Sequence, residues 1–306
     1  MEPVPLSSKT TFKKKWLSYQ DQVALLAHRG LTINNSEDAA EFLSHINYYR
    51  FSGYCLAFEK SRHQFHEGVT FEQIREAYQF DCVLRDVITE ALEVVELDFR
   101  TTLAYEFSRC HGPFGHTQKT HFDARFGHSS WHEKLRHEAQ RSQELFVKHY
   151  RESYIEFPDL PIWMTTELMS FGALSRMFEG MQRQDQKKIA IRYHRQPKDL
   201  KSWMHHLVYV RNVCAHHARL WDRIWAVKPA LPEGKAWSLP LLPGNNRLFI
   251  TLLILGWLLK QCPTMMDFTV TWKKRVEQLL TRPPQAPNAV LLMGLSPQWN
   301  KHPCWM

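Results

Sequence analysis

The sequence predicts an all-α fold. Three observations predict it. Apolar residues recur at steps of three and four through long stretches, which is the helical period. Helix start and stop signals punctuate those stretches. Glycine is sparse, with 12 in 306 residues, which disfavours a sandwich or barrel built on many tight turns.

The elements follow in order. Trp16 to Arg29 reads as a helix stopped by Gly30 at the position after the cap. Ser36 opens a second helix with Ala40, Leu43 and Ile46 on one face. Phe58 to Val69 reads as a loop with a hairpin-like piece. Thr70 and Gln73 form a capping-box pattern. They open the longest periodic stretch, from Ile74 through Leu84, Ile88, Val95 and Leu103 to Phe107, as one helix or two joined near 80–83. His111-Gly112-Pro113 ends it, and 111–128 reads as a loop. Ser130 with Glu133 predicts another capping box and a polar helix to about Tyr154. Beyond Pro158 and Pro161 comes an apolar helix, Ile162 to Met181, then a short basic one, Lys187 to Tyr193. Pro197 suits the first turn of the next, Lys198 to about Ala215. A proline-marked loop (229–243) precedes two final helices, Asn246 to Gln261 and Thr264 to Leu280. The tail from Pro283 carries Trp299 and Trp305 and is expected to pack. The expected division is an N-terminal helical region (1–65), a helical core (66–282) and the packed tail (283–306).

Composition bounds the function. A hydrophobic content of 44% is ample for a core, and 39 Lys and Arg against 31 Asp and Glu leave a net charge of +8. That balance is compatible with a nucleic-acid partner and does not establish one. The six cysteines are scattered with no Cys-x-x-Cys pair, so a zinc ribbon or thioredoxin-type motif is unsupported. The N-terminal run Phe12-Lys13-Lys14-Lys15-Trp16 is not a signal peptide. The apolar run Leu248 to Leu259 is short of the roughly 20 residues a spanning helix needs. A reducing cytoplasm, with no membrane association, is the expected setting.

The informative segment is Trp203 to His217, which contains Arg211-Asn212-Val213-Cys214-Ala215-His216-His217. RNA cleavage without a metal needs a base for the 2′-hydroxyl, an acid for the leaving 5′-oxygen and a cation at the phosphorane. His suits the proton transfers and Arg the phosphate. On a straight helix Arg211 and His216 lie roughly 140° apart, whereas Asn212 and His216 share a face. Three solutions are open: the helix deforms near 214–217, the Arg side chain reaches around, or two copies of the helix form one cleft.

This segment resembles the Arg-Asn-x-x-x-His signature of HEPN ribonucleases. The whole chain is similar to the Abi-like abortive-infection family of the AbiD/AbiF type. Arg29-Gly30-Leu31, the run Ile46 to Tyr54, Glu93 through Phe99-Arg100-Thr101, and Pro161-Ile162-Trp163 with Glu167 and Phe171-Gly172 also carry the likeness. So do Arg211 to Trp221 and Met293-Gly294-Leu295 with Trp299 and Pro303. Asp222 departs from it, because Asn is expected there. The resemblance implies a HEPN-type helical bundle with an N-terminal extension. It implies a phage-defence endoribonuclease of toxin–antitoxin character, acting on RNA as a homodimer, without cofactor or metal. A small RNA is a possible regulator. His216 would be the acid or base, Arg211 would hold the phosphate, and Asn212 and His217 would support them.

Plainer readings stand beside these. On structural grounds alone, Arg211 reads as a helix C-terminal cation and His216 as a core histidine. A non-catalytic RNA-binding module, or a structural partner of another toxin, is the rival function. Lys187, Lys188, Arg192, Arg195 and Lys198 are candidate RNA contacts or a solvated face. Tyr48, Tyr49, Phe51 and Tyr54 suit a core better than base stacking. Glu167 is expected to pair with Arg100 or Arg211, or to face water. Cys214 reads as a packing residue, and the clustered His205, His206, His216 and His217 lack metal-ligand spacing.

Overall fold

The computed structural model describes residue 11 and residues 14–305. Phe12 and Lys13 of the basic N-terminal run lie outside the described residues. Thirteen α-helices, six short 3₁₀ turns and one two-stranded hairpin account for the regular structure among them. The chain divides into two units, 1–79 with 284–287, and 80–283 with 288–306.

In the first unit, α1 (Tyr19–His28) is capped by Ser18, whose hydroxyl accepts from the Asp21 amide at 3.1 Å. Gly30, at φ 91°, closes its end as expected, with the Leu31 amide reaching back to the Leu26 carbonyl. Asn35, one residue before the expected start, caps α2 (Ser36–Ile46). α3 (Tyr48–Cys55) follows after Asn47. The hairpin of β1 (Glu59–Ser61) and β2 (Gln64–Phe65) falls where the sequence places it. The Thr70–Gln73 box is reciprocal: the Thr70 amide donates to Gln73 Oε1 at 3.0 Å, and the Gln73 amide to Thr70 Oγ1 at 3.2 Å. Phe42 sits edge-on to Phe51, Phe71 and Tyr78, and Phe51 stacks on Phe71 at 4.7 Å. Phe51 and Tyr54 are thus core residues, while Tyr49 is exposed.

The box opens α4 (Phe71–His111), a single unbroken helix of 41 residues. From residue 80 onward it is the spine of the second unit. Trp272 donates its indole N–H to the Val87 carbonyl, Phe99 meets Phe178, and Tyr193 donates its hydroxyl to Asp98. The remaining helices are α5 (His128–Arg141), α6 (Leu145–Ser153), α7 (Ile162–Leu168), α8 (Phe171–Gly180), α9 (Arg183–Arg192), α10 (Pro197–Ala215), α11 (Leu248–Leu259), α12 (Met266–Leu280) and α13 (Ala289–Leu292).

Two expectations are corrected here. The polar helix does not start from a Ser130–Glu133 box. α5 begins at His128, because that side chain is buried and its Nε2 bonds the His116 carbonyl at 2.9 Å; the helix then breaks before α6. The apolar stretch 162–181 is also two helices, because Ser170 caps α8 by accepting from the Ala173 amide. α11 is buried on every side except at Trp257, as a core helix should be. No single helix among the described residues is long and apolar enough to cross a membrane. The tail packs as expected: Trp305 is buried, faces Trp272 and donates its indole N–H to Glu277.

Candidate functional site

Apolar positions Leu200, Trp203, Met204, Leu207, Val210 and Val213 hold one face of α10 in the core. The opposite face is left to solvent. Asn212 and His216 lie on it, Arg211 lies about 100° round the helix from Asn212, and all three, with His217, are exposed on the last turn and the residues just beyond it. Neither Arg211, Asn212 nor His216 has a side-chain hydrogen bond or ion pair among the described residues. Three exposed, unengaged polar groups at one helix end are free to meet a ligand.

The helix does not run straight through the motif. His216 is the C-cap, and His217 adopts the left-handed conformation at φ 51°. The His217 amide donates to the Cys214 carbonyl at 2.9 Å, and the Ala218 amide to the Val213 carbonyl at 3.0 Å. This is the double-bonded closure in which glycine ordinarily sits at the left-handed position. A histidine there is uncommon, and it turns the chain sharply away after His216. His216 itself still closes a helical bond, its amide donating to the Asn212 carbonyl at 3.0 Å, so the chain leaves the helix only beyond it and the roughly 140° between Arg211 and His216 stands.

What holds that turn is a buried carboxylate on α4. Asp81, fully buried, accepts from the amides of Leu220 (3.0 Å) and Trp221 (2.7 Å). Arg85, also buried, pairs with Asp81 at 2.6 Å. Leu220 and Trp221 are themselves fully buried and plug the turn into the core. Next, Arg219 pairs with Asp222 at 2.9 Å, and Arg247 donates to the Asp222 carbonyl at 2.7 Å. Burial pushes the Asp222 carboxyl up from its ordinary range. Sequence reasoning missed Asp81 and Arg85; the one available signal was two charged residues inside an otherwise apolar stripe.

The neighbouring histidine and cysteine have other duties. His206 is buried and bonded at both ring nitrogens, to the Val227 carbonyl at 2.7 Å and the Thr251 hydroxyl at 2.9 Å. Burial lowers its pKa to about 4. Cys214 is buried, which pushes its thiol up to about 12, although Thr89 hydrogen-bonds it. It is a packing residue, as the sequence suggested. Among the described residues no group of three His, Cys, Asp or Glu is arranged to hold a metal.

The five basic candidates are not one free face. Lys188 bonds Asp185 and Cys110, Arg192 pairs with Asp98 at 2.6 Å, and Lys198 reaches Glu233 at 3.5 Å. Arg195 lies among Trp203, Trp237 and Trp257. Lys187 is exposed. Glu167 faces water: Arg100 instead pairs with Glu96 and donates to the Thr166 carbonyl.

A model of the Abi-like protein family matches residues 41–222, more than half of the chain. The chain belongs to the Abi-like protein family. No curated protein and no solved structure matches it. The Abi-like match ends at Asp222, one residue past the segment clamped by Asp81. The family region thus takes in the exposed motif and the α4 clamp together.

Proposed function

We propose that this Abi-like protein is an abortive-infection endoribonuclease of HEPN type that cleaves RNA without a metal ion. Membership of the Abi-like family supports the defence role. The observation that carries the chemistry is the exposed, unpartnered set Arg211, Asn212 and His216 on a helix end clamped by a buried carboxylate. An Arg and a His left free at a rigid position match what phosphodiester transfer needs. His216 exchanges protons with the 2′-hydroxyl or the 5′-oxygen, and Arg211 steadies the phosphorane with its planar fork. Asn212, one turn before His216, orients it or the phosphate, and His217 supports the turn. A helix C-terminus carries partial negative charge, so a phosphate there depends on the Arg211 cation. The 5′-fragment leaves with a 2′,3′-cyclic phosphate.

The motif is open to solvent, and one copy supplies one histidine for proton transfer, His216, since His217 is given to the turn. A second copy facing it would supply the second proton-transfer group, so the active species is a homodimer. A cognate small RNA is a natural restraint on such a site.

The test is cleavage of single-stranded RNA in excess chelator. Wild type is expected to cut, and Arg211→Ala and His216→Ala to lose activity by about 10²–10⁴-fold with unchanged melting. Mixing the two variants is expected to restore part of the activity if opposite chains contribute the two groups. Wild-type rates in both variants would refute the assignment.

A further inference from the structure

A large cleft in the unit 80–283 with 288–306 lies away from the motif, at the other end of α10. Its volume is about 1250 Å³. Six cations line it: Arg125, Arg176, Arg183, Arg195, Lys198 and Lys201. Carboxylates share the walls, but the ion pairs they form are exposed. Asp123 pairs with Arg125 at 3.1 Å, Glu179 with Arg176 at 2.5 Å and with Lys201 at 3.3 Å, and Glu233 with Lys198 at 3.5 Å. Exposed pairs of this kind contribute little, about 0–1 kcal/mol, so a phosphate can replace the carboxylate. Asp199 is buried. Arg183 and Arg195 have no carboxylate partner among the described residues. Arg195 is also held in place, its guanidinium carbon 3.6 Å over the Trp257 ring and flanked by Trp203 and Trp237. Asp199 acts on Arg195 only at a distance, with no direct ion pair, so a cation fixed by aromatic packing keeps its hydrogen-bonding fork ordered for an anion.

The cleft shares one helix face with Asn212 and His216 of the motif, and Arg211 flanks that face about 80° round the helix from Lys201. At about 100° per residue, Lys201, His205 and Asn212 fall within roughly 40° of one another on α10. All three are exposed. Between them Val208 is half-buried against Gly172 of α8. From Lys201 to Arg211 the helix rises about 15 Å. A ligand that lies in the cleft and continues along this face arrives at the motif.

We propose that the cleft binds the phosphate backbone of single-stranded RNA, and that the exposed face of α10 carries the strand from there to Arg211 and His216. This rests on the reading of the motif as an RNA-cleaving site. An acidic protein would also find cations in the cleft. Only a chain with a negative charge at every repeat accounts for a basic cleft, a connecting face and a phosphate-directed motif in line on one helix.

The test is fluorescence anisotropy with a labelled 20-residue single-stranded RNA and the full-length His216→Ala protein, across a salt series. Arg183→Glu with Lys201→Glu reverses two exposed cleft cations. Lys148→Glu with Lys274→Glu makes the same change in net charge at exposed positions of the same unit that do not line the cleft. The cleft pair is expected to weaken binding at least about tenfold near 0.1 M salt, and to reduce the slope of log K against log[salt] by about 1–1.5. The control pair is expected to stay within about twofold, with both melting as the parent does. Equal weakening by both pairs, or none by the cleft pair, overturns the proposal, as does displacement of RNA by polyglutamate at matched charge. Cleavage by wild type is read separately. A protein that does not cut RNA but shows the binding difference keeps the cleft and loses the catalytic reading. One that cuts while both pairs bind alike does the reverse.

Discussion

At the scale of single residues, exposure separates chemistry from architecture. Arg211 and His216 are exposed and unpartnered, so replacing either by Ala should change stability by no more than about 0.5 kcal/mol. Arg211→Lys should also lose most activity, because an ammonium cannot reproduce a bidentate fork. Asp81 is the opposite case. Asp81→Asn removes the charge facing buried Arg85 and weakens the hold on the Leu220 and Trp221 amides. Breaking one side of a buried pair typically costs about 3–5 kcal/mol, which urea denaturation would show. An Asp81→Asn protein as stable as wild type would mean that the turn holds itself. The sequence displayed the motif because its residues are contiguous. It could not display the clamp, because Asp81 and Leu220 are 139 positions apart and no local period joins them. The basic candidates illustrate the same limit. Spacing marked Arg192 and Lys198 as cations, but their counter-ions, Asp98 and Glu233, come from α4 and the proline-marked loop, whereas Lys188 has its own in Asp185, three residues back on α9.

At the scale of elements, caps were legible where the partner is local. Thr70 and Gln73 satisfy each other, and Gly30 supplies the positive φ that ends α1. Ser130 and Glu133 had the same pattern, yet the buried bond from His128 to the His116 carbonyl set the start of α5 three residues earlier, with Gly127 at the cap. Tertiary contact overrode a local signal. Ser170 was hidden for the opposite reason, since one polar residue within an apolar run looks like a helix position. Its hydroxyl accepts from the Ala173 amide at 3.2 Å and fixes the start of α8. Ser170→Ala should therefore cost about 1 kcal/mol, seen as a lowered melting temperature, while Ser170→Asp should cost less. Equal stability of the Ala variant would show that packing alone starts α8.

At the scale of the molecule, stability should be strongly pH-dependent, through histidines that the fold keeps neutral. His206 has its pKa lowered to about 4 and His116 to about 3, both chiefly by burial. In the unfolded chain each returns to the ordinary value near 6.5. Between the two values the unfolded state binds more protons than the native state. Stability is thus fully present above about pH 7 and is lost as pH falls from 6.5 toward 4. Carboxylates without a raised pKa are still ionised above pH 5, so the interval from 6.5 to 5 belongs mainly to these histidines, with a smaller share from His302, also lowered by burial. Each should contribute a loss on the order of 1.5 kcal/mol over that interval, or about 3 kcal/mol for the pair. His206 sits on α10 five residues before Arg211, so this loss falls on the helix that presents the motif. Urea denaturation at pH 8, 6.5 and 5 would measure it, and His206→Gln should remove about half of the pH dependence whatever its effect on stability at pH 8. A flat profile from pH 6.5 to 5 in the wild-type protein would mean that the buried imidazoles take up protons without cost.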